Sequence, residues 1–183
     1  ELADCISEAM QISPHGFLTF FPSFQFLSEI ESSLKNSNRS SKSIFIEPRN
    51  ASFNSSLKNF QSACLSPEGA SLLAVCRGKM SEGLDFSDDF ARCVCVVGIP
   101  FPSLLDVKVA MHRQWLDDKR KGDGAKWYLE MAMRAVNQAI GRAIRHKDDY
   151  AAVILFDQRY EGLISLISKW IQPSIKIASS WGQ

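Results

Sequence analysis

Residues 16–34 read Gly16-Phe-Leu-Thr-Phe-Phe-Pro-Ser-Phe-Gln-Phe-Leu-Ser-Glu-Ile-Glu-Ser-Ser-Leu34, and they decide the fold because they join an apolar run to a helical pattern. A continuous apolar run without alternation is typical of a strand that is covered on both faces. After the run, apolar side chains recur at helical spacing from Phe24 to Leu34, and Ser23 is placed to cap that helix. The segment therefore predicts a buried strand that leads directly into a helix.

The same alternation continues along the chain and indicates an α/β fold. Strands that alternate with helices predict a doubly wound, mostly parallel sheet with helices on its faces. Further strands are expected at Ser43–Glu47, Ser71–Cys76, Cys93–Ile99 and Ala151–Phe156, with Ser174–Ala178 as a candidate last strand. Further helices are expected at Phe53–Cys64, Val107–Leu116, Trp127–Arg145 and Leu163–Ile171.

Length and charge set limits on organisation and partners. A chain of 183 residues fits one domain with a sizeable core, so we expect residues 1–183 to form a single domain. The formal net charge of +1 shows no overall basicity, so any contact with nucleic acid has to come from a local patch. No apolar run approaches the roughly 20 residues that span a bilayer, and we expect no membrane partner. The start, Glu1-Leu-Ala-Asp-Cys5, lacks the basic region of a signal peptide and is interpreted as a cut inside a longer protein.

The cysteines indicate free thiols in an intracellular protein. Their number is odd and no C-x-x-C spacing occurs, so the sequence favours neither disulfides nor a zinc or iron–sulfur site. Three of them lie inside apolar, strand-like runs, where a reduced cysteine behaves as a small apolar residue. The five are Cys5, Cys64, Cys76, Cys93 and Cys95.

The stretch Gln138-Ala-Ile-Gly-Arg-Ala-Ile-Arg145 carries the strongest sign of function. On a helix, Gln138, Arg142 and Arg145 stand at i, i+4 and i+7, which places them on one face. Their neighbours are apolar, so we expect two guanidinium groups on a mostly buried helix, and the planar guanidinium suits a phosphate. A pair of helix arginines that bridges to carboxylates is the alternative, and this stretch alone leaves both open. The apolar neighbours are Val136, Ala139, Ile140, Ala143 and Ile144.

Two other segments have the composition of site loops and follow predicted strands. Functional loops of open α/β sheets lie at the carboxyl ends of the strands. Arg77-Gly-Lys-Met-Ser-Glu-Gly-Leu-Asp-Phe86 contains Gly78 and Gly83, which permit a close approach of the backbone to a ligand. Phe20-Phe-Pro-Ser23 places a hydroxyl at a helix N-terminus, where anions bind. Each segment taken alone is also compatible with an ordinary turn or helix cap.

Several motifs of a complete active site are missing from the sequence. There is no G-x-x-x-x-G-K-[ST] phosphate-binding loop, and Gly78-Lys-Met-Ser81 only resembles the end of one. There is no D-E-x-H or D-E-x-D segment for magnesium and no G-x-S-x-G nucleophile motif, and the three histidines are isolated in sequence. We therefore expect no self-contained catalytic site and no protein-bound metal.

Together the three segments resemble the second motor domain of superfamily 2 helicases of the XPD-like, iron–sulfur group. The segment 20–23 resembles motif IV, 77–86 resembles motif V, and 138–146 resembles motif VI. The similarity runs from about Gly16 to Trp181. Within the group, the similarity to the telomere-elongation-regulator and FANCJ helicases lies in Glu47-Pro-Arg49 and Ser87-Asp88. The similarity to the ChlR-type branch lies in Asp157-Gln-Arg-Tyr160.

The resemblance implies a RecA-like fold that forms one half of a motor. In this family ATP and Mg²⁺ sit between two such domains, and the first carries the phosphate-binding loop, the D-E-A-H segment and an insertion with a 4Fe-4S cluster. None of the three lies in this chain, so we expect the cluster only in the full-length protein. By resemblance, Arg142 and Arg145 are arginine fingers and bind ATP together with Gln138, Gly83 and Asp85. By resemblance also, Ser23, Lys79 and Ser81 contact the backbone of single-stranded DNA.

The function that the resemblance implies is that of the C-terminal motor domain of an ATP-dependent 5′–3′ DNA helicase in DNA repair and genome maintenance. It implies a nuclear protein that acts on single-stranded or forked DNA together with the first motor domain of the same chain. We expect the fragment alone to be inactive. Two alternatives stay open: a non-catalytic RecA-like module that binds nucleic acid or protein, and an RNA helicase, since loops that grip phosphates read little sequence.

Overall fold

Five strands form one sheet in which every neighbouring pair is parallel, in the order β2-β3-β1-β4-β5. The computed structural model describes residues 1–37, 41–48, 53–78 and 86–181. The strands are β1 Gly16–Phe21, β2 Ser43–Ile46, β3 Ala70–Val75, β4 Cys93–Val97 and β5 Ala152–Phe156. The helices are α1 Leu2–Ile12, α2 Phe24–Ser37, α3 Phe53–Cys64, α4 Val107–Lys119 and α5 Asp123–Ile140. Short 3-10 segments occupy Asp88–Phe90, Gln158–Leu166 and Gln172–Ser174.

The central strand β1 is buried at every residue and separates two apolar layers. Successive side chains of a strand point to opposite faces. Phe17 and Phe21 accordingly pack with the buried residues of α1 and α2, while Leu18 and Phe20 pack with those of α3 and α5. Because both faces are covered, the continuous apolar runs in the sequence correspond to parallel strands, and the predicted doubly wound α/β fold is confirmed.

The structure adds an N-terminal helix that the sequence analysis did not predict. In α1, Ile6, Ala9 and Met10 are buried at helical spacing and join the same apolar layer as Phe17 of β1. Seven of the eleven residues of α1 are apolar but only these three of them are fully buried, so the pattern is weak in the sequence and becomes clear only once the face of the sheet that they cover is known.

Two C-terminal predictions were wrong. The segment Leu163–Ile171 is not an α-helix, since a 3-10 segment ends at Leu166. The side chain of Asn137 from α5 donates to the carbonyl of Leu166 at 2.8 Å and accepts from the N–H of Ser168 at 2.8 Å, and it thereby takes backbone groups that a continuing helix would need.

The candidate strand Ser174–Ala178 does not form either. The N–H groups of Ser174 and Ile175 donate to the carbonyls of Ile171 and Gln172, at 2.9 and 3.2 Å, and form a turn instead of pairing with the edge strand β5.

Within the described part of the chain, no helix is both long and apolar enough to cross a lipid bilayer.

Candidate functional site

The sheet separates the predicted site residues into two groups. All strands run in one direction, so we call the end where they finish the carboxyl edge and the end where they begin the amino edge. Ser23 and Gly78 follow β1 and β3 and lie at the carboxyl edge, whereas Arg142 and Arg145 precede β5 and lie at the amino edge. A strand of six residues is roughly 17 Å long, and this is the order of the separation between the two groups.

Ser23 lies at the carboxyl edge as the N-cap of α2. Its Oγ accepts from the N–H of Phe26 at 3.2 Å, and its carbonyl accepts from the N–H of Leu27 at 3.0 Å. The side chain is exposed. The predicted cap is therefore confirmed, and a hydroxyl whose oxygen accepts from the helix can still donate its hydrogen to an anion at the helix N-terminus.

A buried carboxylate, that of Glu47 directly after β2, holds the neighbouring turn that follows β3. The Oε2 of Glu47 accepts from the N–H of Val75 at 2.8 Å, and Glu47 is 3% exposed. A Cβ on Gly78 would lie 2.5 Å from both carboxylate oxygens of Glu47, so only glycine fits there. The structure shows a close approach of the Gly78 backbone to Glu47, and the predicted close approach to a ligand stays a prediction.

The positive backbone angle in this turn belongs to Arg77 and not to a glycine. Its φ is 65°, and its Nη2 donates to the carbonyl of Met131 in α5 at 2.6 Å. The start of the motif V segment is therefore tied both to the sheet and to α5. The remaining predicted residues of this segment, Lys79, Ser81, Gly83 and Asp85, lie outside the described residues.

The segment with the arginines departs from its predicted geometry. Helix α5 ends at Ile140, so Arg142 and Arg145 do not share a helical face with Gln138. The N–H of Arg142 bonds to the carbonyl of Ala139 at 3.1 Å, and the N–H of Ala143 to that of Ile140 at 3.0 Å. These bonds reach back three residues, which tightens the last turn and stops the helix at Ile140, with Gly141 as its C-cap.

Burial along this segment also differs from the prediction. Its apolar residues are buried as predicted, apart from Ile144, which is 37% exposed. Arg145 and Gln138 are exposed, while Arg142 is half-buried and its Nε lies out of solvent contact. The predicted burial is therefore confirmed for four of the five apolar neighbours, whereas the prediction that the two arginines lie on a helix was wrong, because α5 ends at Ile140.

An ion network at the amino edge holds the arginine segment in place. Arg92, which precedes β4 and is 8% exposed, donates through Nη1 to Asp149 Oδ1 at 2.8 Å and to the carbonyl of Tyr150 at 2.9 Å. Its Nε and Nη2 donate to Asp89 Oδ1 at 3.2 and 3.1 Å. The second oxygen of Asp149 accepts from the N–H of Arg145 at 3.1 Å. The network therefore fixes the backbone of Arg145 against the sheet.

The electrostatics of Asp149 agree with this arrangement. Desolvation by burial opposes the charge on its carboxylate, but hydrogen bonds from the N–H of Arg145, the side chain of Arg92 and the N–H of Tyr150 outweigh it and lower the pKa of Asp149. Asp149 is therefore ionised at neutral pH, as its ion pair with Arg92 requires.

A second side-chain contact connects the arginine segment to the residues that follow the motif V segment. His146 Nε2 lies 3.1 Å from Asp88 Oδ1. Asp88, His146 and Asp149 also bring one possible metal-ligand atom each to within 4.8 Å of one another. Because Asp149 already faces the guanidinium of Arg92, ion pairing accounts for this cluster without a cation.

Sequence reasoning did not identify Arg92, Asp149 or Asp88 as site residues. A signal was present, since Arg92 directly precedes one predicted strand and Asp149 stands just before another. The parallel register aligns Cys93 with Ala152, and this pairing brings the two charges together. The sequence gives no sign that β4 and β5 are neighbours.

The cysteines are all free, as predicted. Burial raises the pKa values of the Cys64 and Cys76 thiols to about 12, and the Cys95 thiol, deep in β4, is raised as well. A cluster needs thiolates that converge on one point. These protonated thiols lie at the end of α3, just after β3 and within β4, so they do not fit an iron–sulfur cluster.

Comparison with known proteins identifies the family. Residues 6–174 match the family described as Helicase C-terminal domain. The chain is 42% identical over 184 residues to the "Regulator of telomere elongation helicase 1 homolog" of Drosophila grimshawi, covering 93% of this chain and 19% of that protein. It is 39% identical over 199 residues to the "Regulator of telomere elongation helicase 1" of Mus musculus, covering 99% of this chain and 16% of that protein. The chain thus spans between about a sixth and a fifth of the length of these relatives.

Solved structures give the same result for the fold. A structure titled "XPD_Helicase" superposes with a TM-score of 0.69 at 26% identity, over 88% of this chain and 28% of that one. The Xpd4 structure from S. tokodaii superposes with a TM-score of 0.65 at 19% identity, over 92% of this chain and 32% of that one, and it supports the fold alone. The RecA-like fold and the predicted resemblance are confirmed. The chain belongs to the helicase C-terminal domain family, within the XPD-like group of superfamily 2 helicases.

Proposed function

We propose that this chain is the second motor domain of an ATP-dependent DNA helicase and that residues 1–183 act as one RecA-like domain. In this proposal Arg142 and Arg145 reach ATP and Mg²⁺ that are bound on a first motor domain outside this chain. Family membership supports the helicase function, and the position of the arginine segment at the amino edge supports the role of the two arginines.

The observation that carries the proposal is the exposure of Arg145 beside a fixed backbone. An arginine that acts on a nucleotide held by another domain has to leave its own surface, and Arg145 does so just after a helix that is buried in the core. Its N–H is held by Asp149, so the side chain starts from a defined point. Gln138 is also exposed, seven residues earlier and near the end of α5.

The chemistry suits such an arrangement. Phosphoryl transfer needs positioning and charge neutralisation more than covalent catalysis, and an arginine finger contributes roughly 10³–10⁵ in rate. When the fingers come from the opposite domain, hydrolysis proceeds only while the cleft is closed. Closing and opening the cleft then changes the grip of the two domains on DNA, and this alternation drives translocation.

We assign the DNA backbone to Ser23, Lys79 and Ser81, and the nucleotide side of the motif V loop to Gly83 and Asp85. The exposed hydroxyl of Ser23 at the N-terminus of α2 supports the first assignment. The other four residues are assigned by resemblance to motif V. Loops of this kind bind phosphates and leave the base sequence unread.

For the whole protein we propose single-stranded or forked DNA as the substrate, 5′–3′ translocation, a 4Fe-4S cluster in the first half and a nuclear role in genome maintenance. The names of the relatives, which refer to telomere elongation, support the nuclear role. The cysteines of this chain do not fit the cluster, so its ligands have to come from elsewhere in the full-length protein.

The test compares the 183-residue chain with the full-length protein. We expect negligible ATP hydrolysis by the chain alone and DNA-stimulated hydrolysis by the full-length protein. Arg145→Ala in the full-length protein should lower kcat by about 10³-fold or more while it leaves most ATP binding intact. Robust hydrolysis by the isolated chain would refute the proposal.

Lys147→Ala provides the matched control, because Lys147 is exposed and lies two residues from Arg145. It removes a positive charge from the same segment and should leave kcat near the wild-type value. Stimulation is measured with single-stranded DNA and with RNA of equal length. A stronger response to RNA would favour an RNA helicase, and full activity of Arg145→Ala would favour a non-catalytic binding module.

A further inference from the structure

We propose that Arg92 is a positioning residue, which sets the location of the arginine fingers through Asp149 and couples them to the end of the motif V segment. The inference rests on the proposed function, because it assigns Arg92 a role in the same ATP hydrolysis. Arg92 stands outside the three segments that carry the functional motifs, and it lies more than fifty residues before Asp149 in the chain.

Every nitrogen of the Arg92 guanidinium group is in use. Nη1 bonds to Asp149 and to the carbonyl of Tyr150, and Nε and Nη2 bond to Asp89. The carbon of the guanidinium lies 4.1 Å from the centre of the Tyr150 ring, which stacks over it. A planar group with fixed donors on three sides defines the directions of its partners, as a lysine could not.

The partners of Arg92 lie on both sides of the site. On one side, Asp149 accepts from the N–H of Arg145, so Arg92 restricts the position of the residue that we assign as an arginine finger. Asp89 belongs to the 3-10 segment that follows the motif V segment, and the neighbouring Asp88 contacts His146. The network thus connects the exit of the proposed DNA-binding loop to the proposed ATP-contacting residues.

The backbone of Arg92 anchors the network in the sheet. Its N–H donates to the carbonyl of Gly16 at 2.8 Å, and its carbonyl accepts from the N–H of Ala152 at 2.9 Å. The position of the Arg92 side chain is therefore fixed relative to three adjacent strands, β1, β4 and β5. Displacing a catalytic group by about 1 Å can cost roughly 10²-fold in rate, so a network of this rigidity matters for hydrolysis.

The experiment uses the full-length protein with the variants Arg92→Lys and Asp149→Asn, and with Lys147→Ala as the control. We measure kcat and KM for ATP, with and without single-stranded DNA, together with the stoichiometry of ATP binding. We expect both variants to lower the DNA-stimulated kcat by about 10²-fold, while KM and the binding stoichiometry stay within about threefold of wild type. Lys147→Ala should keep wild-type kinetics.

A merely structural role would lower kcat only in proportion to the loss of folded, ATP-binding protein, and that result would overturn the inference. An unchanged kcat would overturn it as well. The double variant Arg92→Lys/Asp149→Asn should be no slower than the slower single variant, because the two residues act as one unit. Multiplicative losses would show that they act independently.

Arg145→Ala, measured in parallel, separates the two proposals. If it abolishes turnover while Arg92→Lys and Asp149→Asn retain wild-type kinetics, only the positioning role fails. If Arg145→Ala itself retains turnover, the arginine-finger function fails and the role of Arg92 fails with it.

Discussion

The two edges of the sheet hold their candidate site residues by different means. At the carboxyl edge the chain turns on backbone hydrogen bonds and on close packing, with Gly78 pressed against the buried carboxylate of Glu47. At the amino edge the arginine segment is held by ion pairs among Arg92, Asp89 and Asp149. Close packing around one buried carboxylate fixes the first edge, and a network of ion pairs fixes the second. The two edges should therefore respond differently to added volume, to acid and to salt.

The largest effect is expected from added volume at the carboxyl edge. In Gly78→Ala the new Cβ would lie 2.5 Å from the carboxylate of Glu47 and would force it away from the N–H of Val75. Overpacking together with a buried donor left unpaired should cost about 2–3 kcal/mol of the free energy of unfolding. The measurement is urea unfolding of the 183-residue chain.

Gly162→Ala is the control for this substitution, because a Cβ at Gly162 meets no atom within 4 Å. Its free energy of unfolding should stay within about 0.5 kcal/mol of wild type. Equal effects of the two substitutions would contradict the steric account of the carboxyl edge.

The same contrast explains which parts of the site can be predicted from the sequence. At the carboxyl edge the signals are local, since Ser23 follows its strand directly and caps the helix that begins at the next residue. The parallel sheet follows from continuous apolar runs, which need no knowledge of partners. Both predictions depend on neighbours in the sequence, and both are confirmed.

At the amino edge the determinants are distant in sequence. The contact of Arg92 with Asp149 exists only because β4 and β5 are adjacent. The end of α5 was missed for a related reason, because Gly141 alone is a weak stop and the 3-10 bonds that follow it complete the termination. Helical periodicity continued past the true end of the helix, and the predicted common face of Gln138, Arg142 and Arg145 was therefore wrong.

Acid should weaken the ion network at the amino edge. The pKa of Asp149 in the folded chain lies below its ordinary value of 3.8, so the ionised carboxylate stabilises the fold above about pH 4. Asp149→Asn should therefore cost about 1–2 kcal/mol at pH 7, and the difference from wild type should shrink as the pH falls below about 4 through the folded pKa.

The measurement is the free energy of unfolding between pH 7 and pH 3 for wild type and Asp149→Asn. The charged groups near Asp149 are Arg92, Asp88 and His146, and Asp89 shares the guanidinium group of Arg92. Gly162→Ala should show a difference from wild type that does not depend on pH in this range, because its Cβ meets no atom within 4 Å. A constant difference between Asp149→Asn and wild type down to pH 3 would show that ion pairing does not fix the amino edge.

The smallest expected effect separates the structural and the binding roles of Ser23. Ser23→Ala removes the cap of α2 and should cost about 0.5–1 kcal/mol, whereas Ser23→Asn and Ser23→Asp keep a capping oxygen and should stay near wild type. If Ser23 also contacts a phosphate, Ser23→Asp should weaken single-stranded DNA binding by the full-length protein several-fold more than Ser23→Asn, because only the aspartate repels the backbone. Thermal unfolding measures the first effect, and fluorescence anisotropy with a labelled oligonucleotide measures the second. Equal DNA affinities for the asparagine and aspartate variants would restrict Ser23 to its role as a cap, and the carboxyl edge would then have to bind DNA through the motif V segment.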